Sequence, residues 1–80
     1  MVNKNLLKSK IVLFGDRQEN LAEALDMTSP RLSAKINEWN GAEFTQREIK
    51  IIKERYNLTN DEVDEIFFGD DVSLEDTNEV

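Results

Sequence analysis

The side chains best suited to chemistry in this 80-residue chain are hydrogen-bonding groups. The sequence contains no Cys and no His, so it offers no thiolate nucleophile, imidazole base, disulfide or Cys/His zinc site. It also lacks the glycine-rich loops that bind phosphates and the G-x-S-x-G pattern of a nucleophilic serine. We therefore expect neither an enzyme nor a bound cofactor or metal.

Hydroxyl, amide and guanidinium groups lie on one side of a predicted helix that ends near Trp39. Leu32, Ile36 and Trp39 recur at helical spacing and span an arc of only about 60°, which predicts one narrow buried face. The outward positions are Ser29, Pro30, Ser33, Ala34, Asn37 and Glu38, flanked by Arg31 and Lys35. Polar groups of this kind can bind phosphate oxygens and base edges.

A preceding helix must hold this polar surface in place. Leu21, Ala22 and Leu25 recur at helical spacing, and the pattern then breaks before it resumes at Leu32. The run Gln18–Asn37 therefore predicts two short helices joined by a tight turn. Proteins use this arrangement to lay a helix in a DNA groove.

Residues 4–68 resemble the Cro and phage-repressor type of helix-turn-helix, the XRE superfamily. The matching residues are Gln18, the Leu21-Ala22 pair, Leu25, Met27, Leu32, the Lys35-Ile36-Asn37 ending and Asn40-Gly41. The family usually has glycine where this chain has Asp26, at a turn position that tends to need positive φ. Asp tolerates that conformation better than most other residues.

The resemblance implies a set of base contacts on the second helix of the motif. The family's base-reading positions fall on Ser29, Pro30, Ser33 and Ala34. None of these is the Arg, Lys, Asn or Gln that makes bidentate base contacts. Direct readout would therefore depend on Arg31, on serine hydroxyls, and on contacts of Pro30 or Ala34 with thymine methyl groups. A surface charge is the alternative role for Arg31.

The resemblance also implies contacts with the DNA backbone. Gln18 would bind a phosphate and brace the recognition helix, and a solvated residue is the alternative. Asn37 and Asn40 match family positions that touch backbone or bases, although both also suit the end of a helix. Arg47 lies in the first turn of a later predicted helix, where a phosphate could sit.

The spacing of apolar and capping residues predicts an all-α domain of five short helices over residues 1–68. The predicted helices are Asn3–Phe14, a second capped by Asp16 and ending near Leu25, Ser29–Trp39, Gln46–Tyr56 and Asn60–Phe68. Capping boxes are predicted for Asp16 with Glu19, Thr45 with Glu48, and Thr59 with Glu62. Gly15 ends the first helix, Thr28 or Ser29 caps the third, and Asn40-Gly41 supplies the stop after Trp39.

The predicted core is made of the apolar residues that share one face of each helix. Besides Leu32, Ile36 and Trp39, its members are Leu7, Ile11, Phe14, Leu21, Ala22, Leu25, Ile49, Ile52 and Tyr56. Phe67 and Phe68 are adjacent on the last helix and point about 100° apart. One of them should therefore remain partly exposed, as a contact for a homodimer or another partner.

Charge is divided unevenly along the chain, whose net charge is −7. Residues 1–56 hold all ten Lys and Arg against eight acids, whereas residues 57–80 hold nine acids and no base. The first part could approach a phosphate backbone, and the second would be repelled by it. Residues 69–80 have too little apolar content to favour ordering, so we expect a disordered acidic tail.

Two functions are compatible with these features of the sequence. The first is a cytoplasmic, sequence-specific regulator of phage or prophage repressor or Cro type, which binds double-stranded operator DNA as a dimer. The second is a protein-binding modulator with the same fold, resembling an antirepressor, which binds a phage repressor protein. A toxin–antitoxin or other regulatory role is a more distant alternative. The longest apolar run, Ile11–Phe14, is far too short to cross a membrane, so we expect no membrane partner.

Overall fold

The computed structural model describes residues 2–68, and within that range the only regular elements are helices. They are α1 (Lys4–Leu13), α2 (Gln18–Ala24), α3 (Ser29–Asn37), α4 (Gln46–Arg55) and α5 (Asn60–Val63). A 3₁₀ turn, Trp39–Gly41, follows α3, and a π-helical turn, Asp64–Phe68, continues α5. The predicted all-α fold is confirmed for this part of the chain, and the predicted acidic tail lies outside it. None of the helices between residues 2 and 68 has the length and apolar character needed to cross a membrane.

Local capping residues start four of the five helices. Asn3, Thr28, Thr45 and Thr59 each accept a hydrogen bond from the backbone N–H three residues later. At Thr45 and Thr59 the reciprocal bond from the backbone to a glutamate is also present, which confirms both predicted capping boxes. Thr28 is thus the cap of α3, and proline falls in its first turn, where a missing N–H costs little.

The predicted cap at Asp16 is wrong. Arg17 occupies the N-cap position of α2 and makes no capping hydrogen bond with its side chain. Asp16 Oδ2 instead accepts hydrogen bonds from Arg55 Nε at 2.8 Å and from Tyr56 Oη at 2.7 Å. A carboxylate gains more from a guanidinium and a buried phenol than from a single backbone N–H, so the tertiary contact wins.

Helix α3 ends two residues earlier than predicted, and this changes the environment of Trp39. Glu38 already adopts the left-handed conformation (φ 58°), and its carboxylate accepts a hydrogen bond from the Val2 N–H at 3.2 Å. Asn40 and Gly41 are left-handed as well. The chain therefore turns before Trp39 can join the apolar face of α3. Its side chain is 57% exposed, so the predicted core role is wrong.

The core packs α1–α4 and the π-helical turn around thirteen buried apolar residues, and Val63 of α5 is partly buried against it. The thirteen residues are Leu7, Ile11, Leu21, Ala22, Leu25, Leu32, Ile36, Ile49, Ile52, Tyr56, Leu58, Ile66 and Phe67. Phe14 is an exception to the prediction, because it is 49% exposed and its ring lies edge-on to Tyr56 with the centroids 5.5 Å apart. Phe67 is buried and Phe68 is half exposed, which is the division expected for adjacent helical residues.

The two ends of the described chain meet. The backbone N–H of Asn3 donates to the carbonyl of Ile66 at 2.6 Å, and Lys10 pairs with Glu62 at 2.6 Å. The last helical turns are thereby held against α1. The chain continues beyond Phe68 from a point beside the start of α1.

Candidate nucleic-acid interface

Helices α2 and α3 pack against each other across a short turn. Asp26 has φ 60° in that turn, so the positive φ predicted at this position is confirmed. The Met27 N–H donates to the Ala22 carbonyl at 3.0 Å, and the Met27 side chain is half buried against the core. Leu21 and Leu32 are fully buried, so the two helices have a fixed relative position.

A side-chain hydrogen bond crosses from the first residue of α2 to the middle of α3. Gln18 Nε2 donates to Ser33 Oγ over 2.8 Å, between two half-buried side chains. The Ser33 oxygen is thereby used as an acceptor, and its own hydroxyl hydrogen can be donated to another group. The contact connects the start of α2 to the middle of α3.

The outward face of α3 carries the predicted base-reading residues at its surface. Ser29, Pro30 and Arg31 are exposed, and Ser33 and Ala34 are half buried. The Arg31 backbone is fixed by a hydrogen bond to Thr28 Oγ1 at 3.2 Å. The guanidinium of Arg31 has no side-chain partner within residues 2–68, so within this range it is free to contact an anion.

Asn37 and Asn40 differ in how far the chain already uses them. Asn37 Nδ2 donates to the Ser33 carbonyl at 2.9 Å, and its Oδ1 accepts from Lys4 Nζ at 3.3 Å. Both polar ends of Asn37 are thus engaged inside the chain, which favours a helix-ending role. Asn40 is exposed in the 3₁₀ turn with φ 55°.

Helix α3 is fixed to α4 by a buried ion pair. Lys35 is 5% exposed, and its Nζ lies 2.6 Å from Glu48 Oε1. Burial opposes ionisation of Glu48, but the hydrogen bonds from Lys35 and from the Thr45 backbone outweigh it and lower the Glu48 pKa. Lys35 therefore serves the α3–α4 contact and is withdrawn from the outward face.

Arg47 lies in the first turn of α4, and its side chain is exposed. Further along the same helix, Lys53 donates to Asn60 Oδ1 and is half buried. Among residues 2–68, the exposed cations without a hydrogen-bonded side-chain partner are Lys8, Arg17, Arg31, Arg47 and Lys50. Arg17 directly precedes Gln18, and sequence reasoning missed it because Asp16 was assigned as the helix cap.

Acidic residues lie beside the start of α3. Glu19, Glu23 and Asp26 line a shallow groove that ends at Thr28 and Ser29. Carboxylates at this edge would repel a phosphate backbone. The candidate interface therefore combines exposed arginines with carboxylates beside the start of α3.

A second surface feature is an apolar groove of about 210 Å³, where the two ends of the described chain meet the segment between α3 and α4. Its lining residues are Val2, Glu38, Glu43, Phe44, Ile49, Phe67 and Phe68. The Phe44 and Phe67 rings meet edge to face with centroids 5.3 Å apart, and they form its floor. Phe68 is 51% exposed at the rim, so of the predicted contact pair only Phe68 is open to a partner.

The described part of the chain belongs to the class of small all-α domains, and its distinguishing feature is the braced α2–α3 pair. Comparison with protein-family models, with curated proteins and with solved structures gave no match.

Proposed function

We propose that this chain is a sequence-specific DNA-binding transcriptional regulator of the phage or prophage repressor or Cro type, with α3 in the major groove. The observation that supports it best is the Gln18–Ser33 hydrogen bond, which braces two packed helices while the outward face of α3 stays open. The resemblance of residues 4–68 to helix-turn-helix domains supports the same function.

In this proposal the residues divide between backbone and base contacts. Gln18, Arg17 and Arg47 bind phosphates and fix the register of the domain on DNA. Arg31 is the only long donor on the exposed reading face, and it contacts a guanine edge or a phosphate. Ser33 donates its hydroxyl hydrogen to a base or phosphate acceptor while it accepts from Gln18.

Small residues at the other reading positions limit the discrimination that one domain achieves. Ser29 can make a single hydrogen bond, and Pro30 and Ala34 can contact thymine methyl groups. Specificity then depends on DNA shape and on a dimer that places two α3 helices in half-sites one helical turn apart.

Matched charge removals test the role of Arg31. Arg31→Gln should weaken binding to the preferred site by roughly 1 to 3 kcal/mol and should relax specificity at one base position. Lys50→Gln removes the same charge from an exposed residue of α4 that has no assigned DNA contact, and it should have a much smaller effect. Binding is measured by fluorescence anisotropy at several salt concentrations. Equal effects of the two substitutions at every salt concentration would show that Arg31 does not read a base.

The apolar groove supports a second candidate function, a modulator that binds the DNA-binding domain of a phage repressor. Glu38 and Glu43 flank the groove, and Phe68 is half exposed at its rim, so the surface suits a partner with an apolar anchor among basic residues. The chain's net charge of −7 favours the same partner.

Titration calorimetry with a purified phage repressor DNA-binding domain tests this second function. Phe68→Ala should weaken the complex at least about tenfold if Phe68 is the central anchor. Leu13→Ala removes an exposed apolar side chain that does not line this groove and serves as the control. The modulator hypothesis fails if wild-type protein shows no heat of binding, and Phe68 is excluded as anchor if both variants bind like wild type.

A further inference from the structure

A groove between the end of α1 and the start of α2 has an exposed apolar side chain that the proposed DNA contacts do not use. It measures about 320 Å³ and is lined by Lys8, Ile11, Val12, Asp16, Arg17 and Gln18. Val12 lines the groove and is 75% exposed. An apolar side chain of an occupant placed here would remove Val12 from water.

The rim of this groove is positively charged. Lys8 and Arg17 are exposed and have no side-chain partner within residues 2–68. Asp16 also lines the groove, but its carboxylate is already bound by Arg55 and Tyr56. The hydrogen bond from Arg55 holds the Asp16 pKa well below its ordinary value, so this carboxylate is ionised but compensated. An occupant whose apolar side chains stand between carboxylates would complement this groove and its basic rim.

The chain itself contains such a segment. Gly69–Val80 has five acids and no base, and two of its apolar residues, Val72 and Leu74, stand between Asp70-Asp71 and Glu75-Asp76. Apolar residues spaced by two lie on one side of an extended chain. The segment 70–76 can therefore present both apolar side chains to a groove and its carboxylates to a basic rim.

The segment after Phe68 is long enough to reach the groove at Val12. The hydrogen bond from Asn3 to Ile66 places the end of the described chain beside the start of α1. Val12 lies nine residues further along α1 than Asn3, which is roughly 13 Å along a helix. The twelve residues that follow Phe68 can span roughly 40 Å when extended. Lys4 and Lys8, one helical turn apart on α1, would line the path.

We infer that residues 70–76 dock into the groove at Val12 of the same chain, with Val72 and Leu74 against the apolar wall and the flanking acids beside Lys8 and Arg17. The docked segment covers Arg17 and Gln18, so it competes with DNA for this end of the interface. The competition rests on the proposed function, whereas the docking does not depend on it.

Paramagnetic relaxation in the full chain tests the docking directly. The sequence has no Cys, so Thr77→Cys provides a single site for a nitroxide label. We expect the label to broaden the amide signals of Lys8, Val12 and Gln18 more than those of α4. Val72→Ser with Leu74→Ser should abolish the selective broadening without changing the charge. Broadening that is uniform, absent or unaffected by the two serines overturns the inference. Broadening seen only between labelled and unlabelled chains also overturns it, because docking within one chain is what we infer.

DNA binding by the same double-serine variant separates the docking from the proposed function. If the docked state holds between half and nine-tenths of the molecules, its removal raises the apparent DNA affinity by a factor of about two to ten. Selective broadening without any DNA binding would support docking and count against the DNA-binding function. DNA binding without selective broadening would support the DNA-binding function and count against the docking.

Discussion

Asp16 is the residue whose role depends most on contacts distant in sequence. Its carboxylate connects the α1–α2 turn to the end of α4 through Arg55 and Tyr56, and its side chain is only 11% exposed. The hydrogen bonds from Arg55 and Tyr56 lower the Asp16 pKa, whereas burial and the Asp16 hydrogen bond raise the Tyr56 pKa. The turn that leads to Gln18 is thus held by an interaction that requires an ionised carboxylate.

We predict that Asp16→Asn lowers the free energy of unfolding by about 1 to 3 kcal/mol at pH 7. The folded pKa lies below the ordinary value of 3.8, so this stabilisation is complete above that value and is lost as the pH falls toward the folded pKa. The difference between variant and wild type should therefore shrink between about pH 4 and pH 2.

Urea unfolding at pH 7 and at pH 3 measures this difference. Asp26→Asn is the control, because Asp26 is exposed in a left-handed conformation that asparagine also accepts. A loss for Asp16→Asn that is the same at both pH values would show that the ionised carboxylate does not carry the stabilisation.

At the scale of elements, the two confirmed capping boxes are locally alike but differ in tertiary setting. Glu48 Oε1 accepts from the Thr45 backbone and also binds Lys35, whose side chain is 6% exposed. Glu62 caps α5 and pairs through its other oxygen with Lys10, at a site that water reaches more easily. The first box therefore joins two helices, and the second lies nearer the solvent.

We predict that Glu48→Gln destabilises the domain by roughly 2 to 4 kcal/mol, because it leaves a buried ammonium without a counter-charge. Glutamine preserves the capping hydrogen bond, so the loss reports the ion pair. Glu62→Gln removes an equivalent charge and should cost less, because water can solvate Lys10. Thermal unfolding of both variants gives the comparison, and equal losses would refute the assigned difference.

The helices could largely be predicted from sequence because their start signals are local. Thr45 with Glu48 and Thr59 with Glu62 define caps within four residues, and the tertiary structure does not override them. Asp16 carries a similar local signal, but Arg55 lies 39 residues away and takes its carboxylate. Periodicity identified Leu32 and Ile36 as buried, yet it could not show that α3 ends before Trp39.

The candidate site was predictable only in part for the same reason. The spacing predicted that Ser29 and Ser33 share the outward face and that Arg31 flanks it, and all three have some exposure. The partner of Gln18 could not be read from spacing, because its bond to Ser33 depends on how the two helices pack. The exposure of Val12 and Leu13 depends on which side of α1 the rest of the domain covers.

At the scale of the whole molecule, the distribution of charge governs any approach to DNA. Arg17, Arg31 and Arg47 are exposed, but the net charge is −7 and residues 57–80 contribute nine of the acids. Long-range attraction to DNA should accordingly be weak, and short-range contacts must supply the affinity. We expect the affinity of the contact surface for DNA to depend strongly on salt concentration. We also expect association with DNA to be slow.

Selection from a randomised duplex pool at low salt tests whether α3 reads DNA. The intact protein is incubated with the pool, and the retained sequences are determined. We predict enrichment of a palindrome whose half-sites lie about 10 to 11 base pairs apart, and weaker enrichment with Arg31→Gln. Retained sequences that are indistinguishable from the starting pool would contradict a sequence-specific DNA-binding function.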